Sequence, residues 1–238
     1  MNPTAKKELT PTGKLRVGVN LGNFLLVNKD AATGELRGVV PDLAAELARR
    51  LGVAAELVPA PGAGQVADGA KGGAWDVGFI GAEPQRALEI AFTPAYVEIP
   101  ATYLVRAESP IRSIAEVDKP GIRIAVAARS AYDLYLSRDL KHAQLVRAEG
   151  IPASYDLFVA EKLDVLSGLL PRLVTDVQRL PGARILEGKF TAVQQAIGTP
   201  KARAAGAAYL LEFVADIKAS GLVARLIERH GVKGVNVP

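Results

Sequence analysis

From Leu15 onward short apolar runs alternate with amphipathic stretches, and this rhythm decides the fold class before any single residue is considered. LRVGVN (15–20) reads as a buried strand, and PDLAAELARRLG (41–52) as a helix with Leu43, Leu47 and Leu51 on one face and Gly52 as its stop. AAELVPA (54–60) is strand-like, GQVADGAKGG (64–73) reads as a Gly-rich helix, and WDVGFI (75–80) is another strand. Strands joined through helices lie parallel, so a βαβαβ order implies a mostly parallel sheet covered by helices.

The rhythm then repeats. GIRIAVAA (121–128) reads as a strand, SAYDLYLSRDLKHA (130–143) as a helix, QLVRA (144–148) as a strand, SYDLFVAEK (154–162) as a helix and LDVLSG (163–168) as a strand. After ARILEG (183–188) and TAVQQAIG (191–198), two helices are expected at about 201–219 and 222–229. Two α/β lobes follow: residues 14–98 with 192–238, and residues 99–191, with 1–13 as an N-terminal extension and the extended segments 97–104 and 186–196 as crossovers. Ligands of open α/β sheets sit beyond the carboxyl ends of the strands, so two facing lobes are expected to form a cleft.

Composition narrows the function classes. At 238 residues, 49% apolar and 23% charged, the chain is long enough for real cores and is not disordered. Its formal charge of +4 comes from scattered basic residues, unlike the basic stripe with interleaved aromatics that binds nucleic acid, so no nucleic-acid partner is expected. Cysteine is absent and histidine occurs only at His142 and His230, so no metal and no cofactor are expected. The N-terminal MNPTAKKELTPTG lacks the apolar core of a secretory signal, and no stretch reaches the length of a membrane span.

Three short strings carry the chemistry. GAEPQRALEIAFTPAY (81–96) sets Arg86 just past a buried strand, where its planar guanidinium could fork onto a carboxylate or simply pair with Glu83 or Glu89 on the surface. ARSAYD (128–133) places Ser130 as an N-cap with Asp133 three residues on; the first-turn amides, that of Ala131 among them, form an anion site or a plain cap, and Arg129 adds a charge or is solvated. NLGNFLLV (20–27) offers Asn20, Asn23 and Phe24 after the first strand, either toward a ligand or as a polar turn with Phe24 in the core. Trp75 and Tyr96 read as packing residues, and His142 carries no assigned chemistry.

GELRGVVPDLAAELARRLG (34–52), WDVGFIGAEPQRALEIAFTPAY (75–96) and SPIRSIAEVDKPGIRIAVAARSAYD (109–133) together resemble bacterial extracellular solute-binding proteins of family 3, the amino-acid-binding components of ABC importers, from about Lys14 to about Val232. The resemblance implies a two-lobed periplasmic-binding-protein clamshell, each lobe a mostly parallel sheet flanked by helices. It also implies a monomer that works with a membrane permease outside the cytoplasm. In the family an arginine before an aFT-x-x-Y run grips the ligand's α-carboxylate, and Arg86 with Glu89-Ile90-Ala91-Phe92-Thr93 stands there. Gly81, with Gly78 and Ala82, falls where the family carries hydroxyls, and Arg129-Ser130 falls where it has Gly-Thr or Gly-Ser. The family's acid for the ligand ammonium is replaced by Gly168, Leu169 and Leu170, so a carboxylate with an apolar or neutral polar body fits better than an α-amino acid.

Three other classes compete. A dehydratase of the cyclohexadienyl or arogenate type on this scaffold would need a general acid near Leu169, for which only Glu98 and Glu161 are on offer. A sensor domain without transport accords with the absence of a signal, and an effector module of a transcription regulator would need a DNA-binding helix pair, which does not precede Leu15.

Overall fold

The structure, a computed structural model, describes residues 2–238. The chain forms two compact units, one running up to Glu98 and resuming at Gln194–Pro238, the other Ile99–Val193. The first unit opens with α1 (Pro3–Leu9), β1 (Leu15–Asn20), β2 (Asn28–Lys29), β3 (Leu36–Arg37), α2 (Val39–Leu51), β4 (Ala55–Ala60), α3 (Ala63–Asp68), β5 (Val77–Gly81) and β6 (Ile90–Phe92). The second comprises β7 (Val97–Val105, which begins just before the boundary), β8 (Arg123–Ala127), α4 (Ala131–Asp139), β9 (Gln144–Ala148), α5 (Ile151–Ala160), β10 (Val165–Leu169), α6 (Leu170–Asp176) and β11 (Arg184–Ile185). The chain returns through β12 (Thr191–Pro200) to α7 (Ala204–Ala219) and α8 (Leu222–Arg229).

Each unit repeats one plan. In the first, β1 lies parallel to both β4 and β5, β12 runs antiparallel to β5, and β6 is antiparallel to β12. In the second, β8 lies parallel to β9 and β10, β7 runs antiparallel to β10, and β11 is antiparallel to β7. The parallel strands are the ones that helices connect, as the βαβ rhythm requires, and the antiparallel strand closes each sheet's parallel run.

Packing explains the local choices. In α2 the residues Leu43, Leu47 and Leu51 are fully buried, and Gly52 adopts a left-handed φ of 65° while its amide caps Ala48 and Arg49 carbonyls, a geometry that a β-carbon would strain. Trp75 is buried and its Nε1 donates to the Val66 carbonyl at 2.8 Å. Its ring lies against Gly18, Gly69 and Gly78; a β-carbon at Gly18 would come within 2.6 Å of it. Gly78 thus leaves the space that the indole occupies. In the second unit Leu104, Tyr155, Phe158, Leu166 and Leu173 form the core between sheet and helices.

Several elements differ from the sequence reading. The first residues, read as an extension, fold into α1, with Ala5 and Leu9 fully buried and the Glu8 carboxylate accepting from the Gly206 amide at 2.7 Å. The Gly-rich helix ends at Asp68, five residues early, because the chain must bring Gly69 against Trp75. The helix expected to reach residue 143 stops at Asp139, since Asp118 takes the amides of Lys141, His142 and Ala143 at 2.8–2.9 Å and holds them in a turn. The hairpin of β2 and β3, and α6, were not expected.

Candidate functional site

At the carboxyl end of β5 the chain leaves the sheet at Gly81, makes an α-turn in which the Ala87 amide donates to the Glu83 carbonyl at 2.9 Å, and enters a single 3-10 turn, Arg86–Leu88. This turn carries the Arg86 guanidinium back toward the strand end, where Nη1 donates to the Gly81 carbonyl at 2.7 Å. Arg86 is only 6% exposed and is therefore not a surface arginine, and Glu89 pairs with Lys71 at 3.2 Å. Gly81 serves here through its carbonyl, which orients the guanidinium. The following motif is a structural clamp, as the buried Thr93 accepts from the Ile197 amide at 3.1 Å and donates to the Pro94 carbonyl at 2.9 Å.

The loop after β1 lies in the same unit, at the same end of a neighbouring parallel strand. Asn20 Oδ1 accepts from the Gly22 amide at 2.9 Å, closing a tight polar turn, and the Asn23 amide donates to the Asn20 carbonyl at 3.2 Å. Phe24 is half-buried on that loop. Asn23 is 5% exposed, and its Oδ1 is buried without a hydrogen-bond partner. A buried acceptor left unmade costs about 1–3 kcal/mol, and such atoms call for an explanation.

The opposite end of β5 is built for stability. Asp76 is fully buried and receives Arg16 at 2.8 Å and Arg203 at 2.8 Å, while Thr199 donates to its carbonyl at 2.9 Å. Arg16 is held with its pKa raised, chiefly by that hydrogen bond to Asp76. Nothing in the sequence pattern pointed to this cluster, because its members stand at positions 16, 76, 199 and 203.

In the second unit the strand-to-helix turn after β8 holds the other predicted residues. Ser130 caps α4 by accepting the Asp133 amide at 3.0 Å, and Asp133 Oδ2 reaches back one residue beyond the cap to accept the Arg129 amide at 2.8 Å, a variant of the capping box. Arg129 pays for the tight turn with a left-handed φ of 58° and is exposed. Asp133, 3% exposed, is also gripped by Arg147, whose Nε lies 3.0 and 3.2 Å from the two carboxylate oxygens. Ala131 is buried in the first turn, where an amide has no carbonyl of its own helix to bond. Beside it Tyr132 is buried and desolvation pushes its hydroxyl pKa up.

At the end of β10 the buried Leu169 leads straight into α6 with no side-chain cap. Glu161 follows α5 and precedes β10, at the amino end of that strand, and Glu98 pairs by its backbone with Asn236. Tyr96 is fully buried with its ring edge-on to Phe79, 5.7 Å between centroids. Among the described residues no group of three or more His, Cys, Asp or Glu is arranged to hold a metal, and no helix is long and apolar enough to cross a membrane.

The sequence description of bacterial extracellular solute-binding proteins, family 3, matches residues 15–233. The chain belongs to this family. Solved structures agree on the fold. A P235GK mutant of ArgBP from T. maritima is 22% identical, with 95% of this chain and 99% of that one covered at a TM-score of 0.78. The ancestral amino acid-binding protein AncCDT-1, a precursor of cyclohexadienyl dehydratase, is 21% identical over 94% and 98% at 0.77. The amino acid ABC transporter substrate-binding protein AbpA from Streptococcus pneumoniae, bound to L-arginine, is 18% identical over 94% and 97% at 0.77. No curated protein matches significantly. The fold is therefore the α/β fold of two-lobed periplasmic binding proteins.

Proposed function

We propose that this family member is the solute-binding component of an ABC importer and binds a small carboxylate, with Arg86 as the residue that takes the acid group. The observation that carries the reading is a guanidinium 6% exposed at the carboxyl end of a central parallel strand, oriented by the Gly81 carbonyl. A guanidinium in such low-dielectric surroundings matches a carboxylate bidentately, in the strong charge-assisted class of hydrogen bond. Asn20, Asn23 and Phe24 are assigned to the same ligand from the β1 loop.

From the second unit, the Ser130 hydroxyl and the Ala131 amide are assigned to the ligand's anionic end. Ser130 Oγ accepts from the Asp133 amide. Arg129, exposed in that turn, supplies a second positive charge. A ligand bound by groups of both units favours the state in which all of them reach it, and that difference in affinity is what a membrane permease can read. The working compartment is the periplasm or cell exterior, following the family.

The dehydratase reading is not favoured. Glu161 sits at the amino end of β10, whereas Ser130 follows the carboxyl end of the parallel strand β8, and Glu98 belongs to a strand pairing. Titration calorimetry tests the proposal: Arg86→Ala is expected to weaken binding by about 2–5 kcal/mol, roughly 30-fold or more, with an unchanged far-UV spectrum. Wild-type affinity in that variant would remove Arg86 from the site.

A further inference from the structure

Resting on the reading of Arg86 as the residue that takes the ligand's acid group, we infer that Lys201 is a positioning residue for it. The guanidinium is carried by the single 3-10 turn Arg86–Leu88, and one such turn makes too few hydrogen bonds of its own to hold its shape. Its closing carbonyls have no partner further along the turn and must find donors elsewhere. Two of them find the same residue. The Lys201 amide donates to the Glu89 carbonyl at 2.9 Å, and the Lys201 ammonium donates to the Ala87 carbonyl at 3.2 Å.

Strand pairing puts Lys201 in that place. β6 runs antiparallel to β12 with Ile90 opposite Pro200, and Lys201, the next residue, carries the pairing on to Glu89. The two strands lie so close that a β-carbon at Gly198 would collide with the Ile90 side chain. Lys201 therefore leaves the strand end beside the turn, and its flexible four-carbon stem brings a donor to the Ala87 carbonyl. All of these residues belong to the first unit. Glu89 also pairs with Lys71 at 3.2 Å, but both side chains are half or more exposed, and ion pairs of that class hold little. Arg86 is thus fixed at two places: the Gly81 carbonyl holds Nη1, and Lys201 holds the backbone from which the side chain springs. A binding group has to be held within about 0.5 Å and 10–20° of its productive geometry. A turn that keeps this geometry for only about a tenth to a third of the time lowers the apparent affinity by the inverse, about three- to tenfold.

The test reads Arg86 before any ligand is added. In the intact chain with arginine labelled in nitrogen-15, the Arg86 Nε–H signal is assigned by its disappearance in Arg86→Lys. Lys201→Met is expected to broaden or shift that signal, Lys201→Arg, which keeps a donor, to restore it, and Lys71→Met to leave it in place. The affinity arm uses whichever of succinate, 3-phenylpropanoate, L-glutamine and L-arginine raises the wild-type melting temperature most. Its binding to Lys201→Met is expected to weaken about three- to tenfold, with the melting temperature of the free protein within about 2 °C of wild type. An Arg86 signal unchanged in Lys201→Met, or perturbed equally by Lys71→Met, would overturn the inference. So would a loss of affinity that Lys201→Arg does not restore. Wild-type affinity in Arg86→Ala would instead overturn the function proposed for Arg86, and the ligand-free signal would still decide whether Lys201 positions it.

Discussion

Asn23, proposed as a ligand residue, carries a cost in stability. Its Oδ1 is buried without a partner, in a loop whose backbone is otherwise bonded through Asn20 and Gly22. An acceptor that waits for a ligand donor costs free energy in the unliganded protein, and replacing it with an apolar group of like shape recovers that cost. Asn23→Leu is therefore expected to gain about 1 kcal/mol of stability in urea unfolding while weakening ligand binding. A variant less stable than wild type would mean that the carboxamide is bonded after all. Arg129 carries a related cost, since a left-handed backbone at a non-glycine residue is unfavourable by about 1–2 kcal/mol. Arg129→Gly should raise the melting temperature, and if the side chain adds charge at the site it should also lower ligand affinity; a lower melting temperature would show that the side chain supports the fold.

Among the elements, α2 is the one whose charges report on pH. Glu46 accepts from Arg49 at 2.8 Å and from Arg50 at 2.7 Å, and Arg50 reaches Asp216 on α7 at 2.6 Å. The hydrogen bond from Arg49, aided by Arg50, lowers the Glu46 pKa to about 2 against the opposing effect of desolvation. A depressed carboxylate pKa gives stability that is fully present above the unfolded value and lost as pH falls through the folded one. Acid unfolding of the wild type should thus steepen between about pH 4.5 and about pH 2, and Glu46→Gln should flatten that limb. An unchanged acid limb would show that the pair contributes nothing. Elements such as α2 were legible because Leu43, Leu47 and Leu51 repeat at helical spacing with a glycine stop. By contrast α1 is short and polar, held by Ala5 and Leu9 against α7, and α6 starts behind Leu169 with no polar cap to announce it. Both depend on tertiary contacts that no local pattern encodes.

At the scale of the whole molecule, one plan appears in both units: parallel strands joined through helices, with functional candidates at the carboxyl ends and ion pairs at the amino end of β5. The order of the parallel strands and of the helices that join them was readable from period alone, because buried parallel strands are continuous apolar runs. What could not be read was burial of charge. The local pattern alone made Arg86 a surface residue and only the family resemblance made it a ligand residue, while its 6% exposure and its bond to Gly81 have no signal in the sequence, and Asp76 joins partners 60 and 127 residues away. The account rests on the Arg86 guanidinium meeting the ligand's carboxylate, and arginine side-chain NMR observes that group directly. With arginine labelled in nitrogen-15 and the Arg86 Nε–H signal assigned by its disappearance in Arg86→Lys, titration with an acid that raises the melting temperature should move that signal along the same saturation curve as the calorimetric affinity. An Arg86 signal that stays in place at saturating ligand would contradict the account.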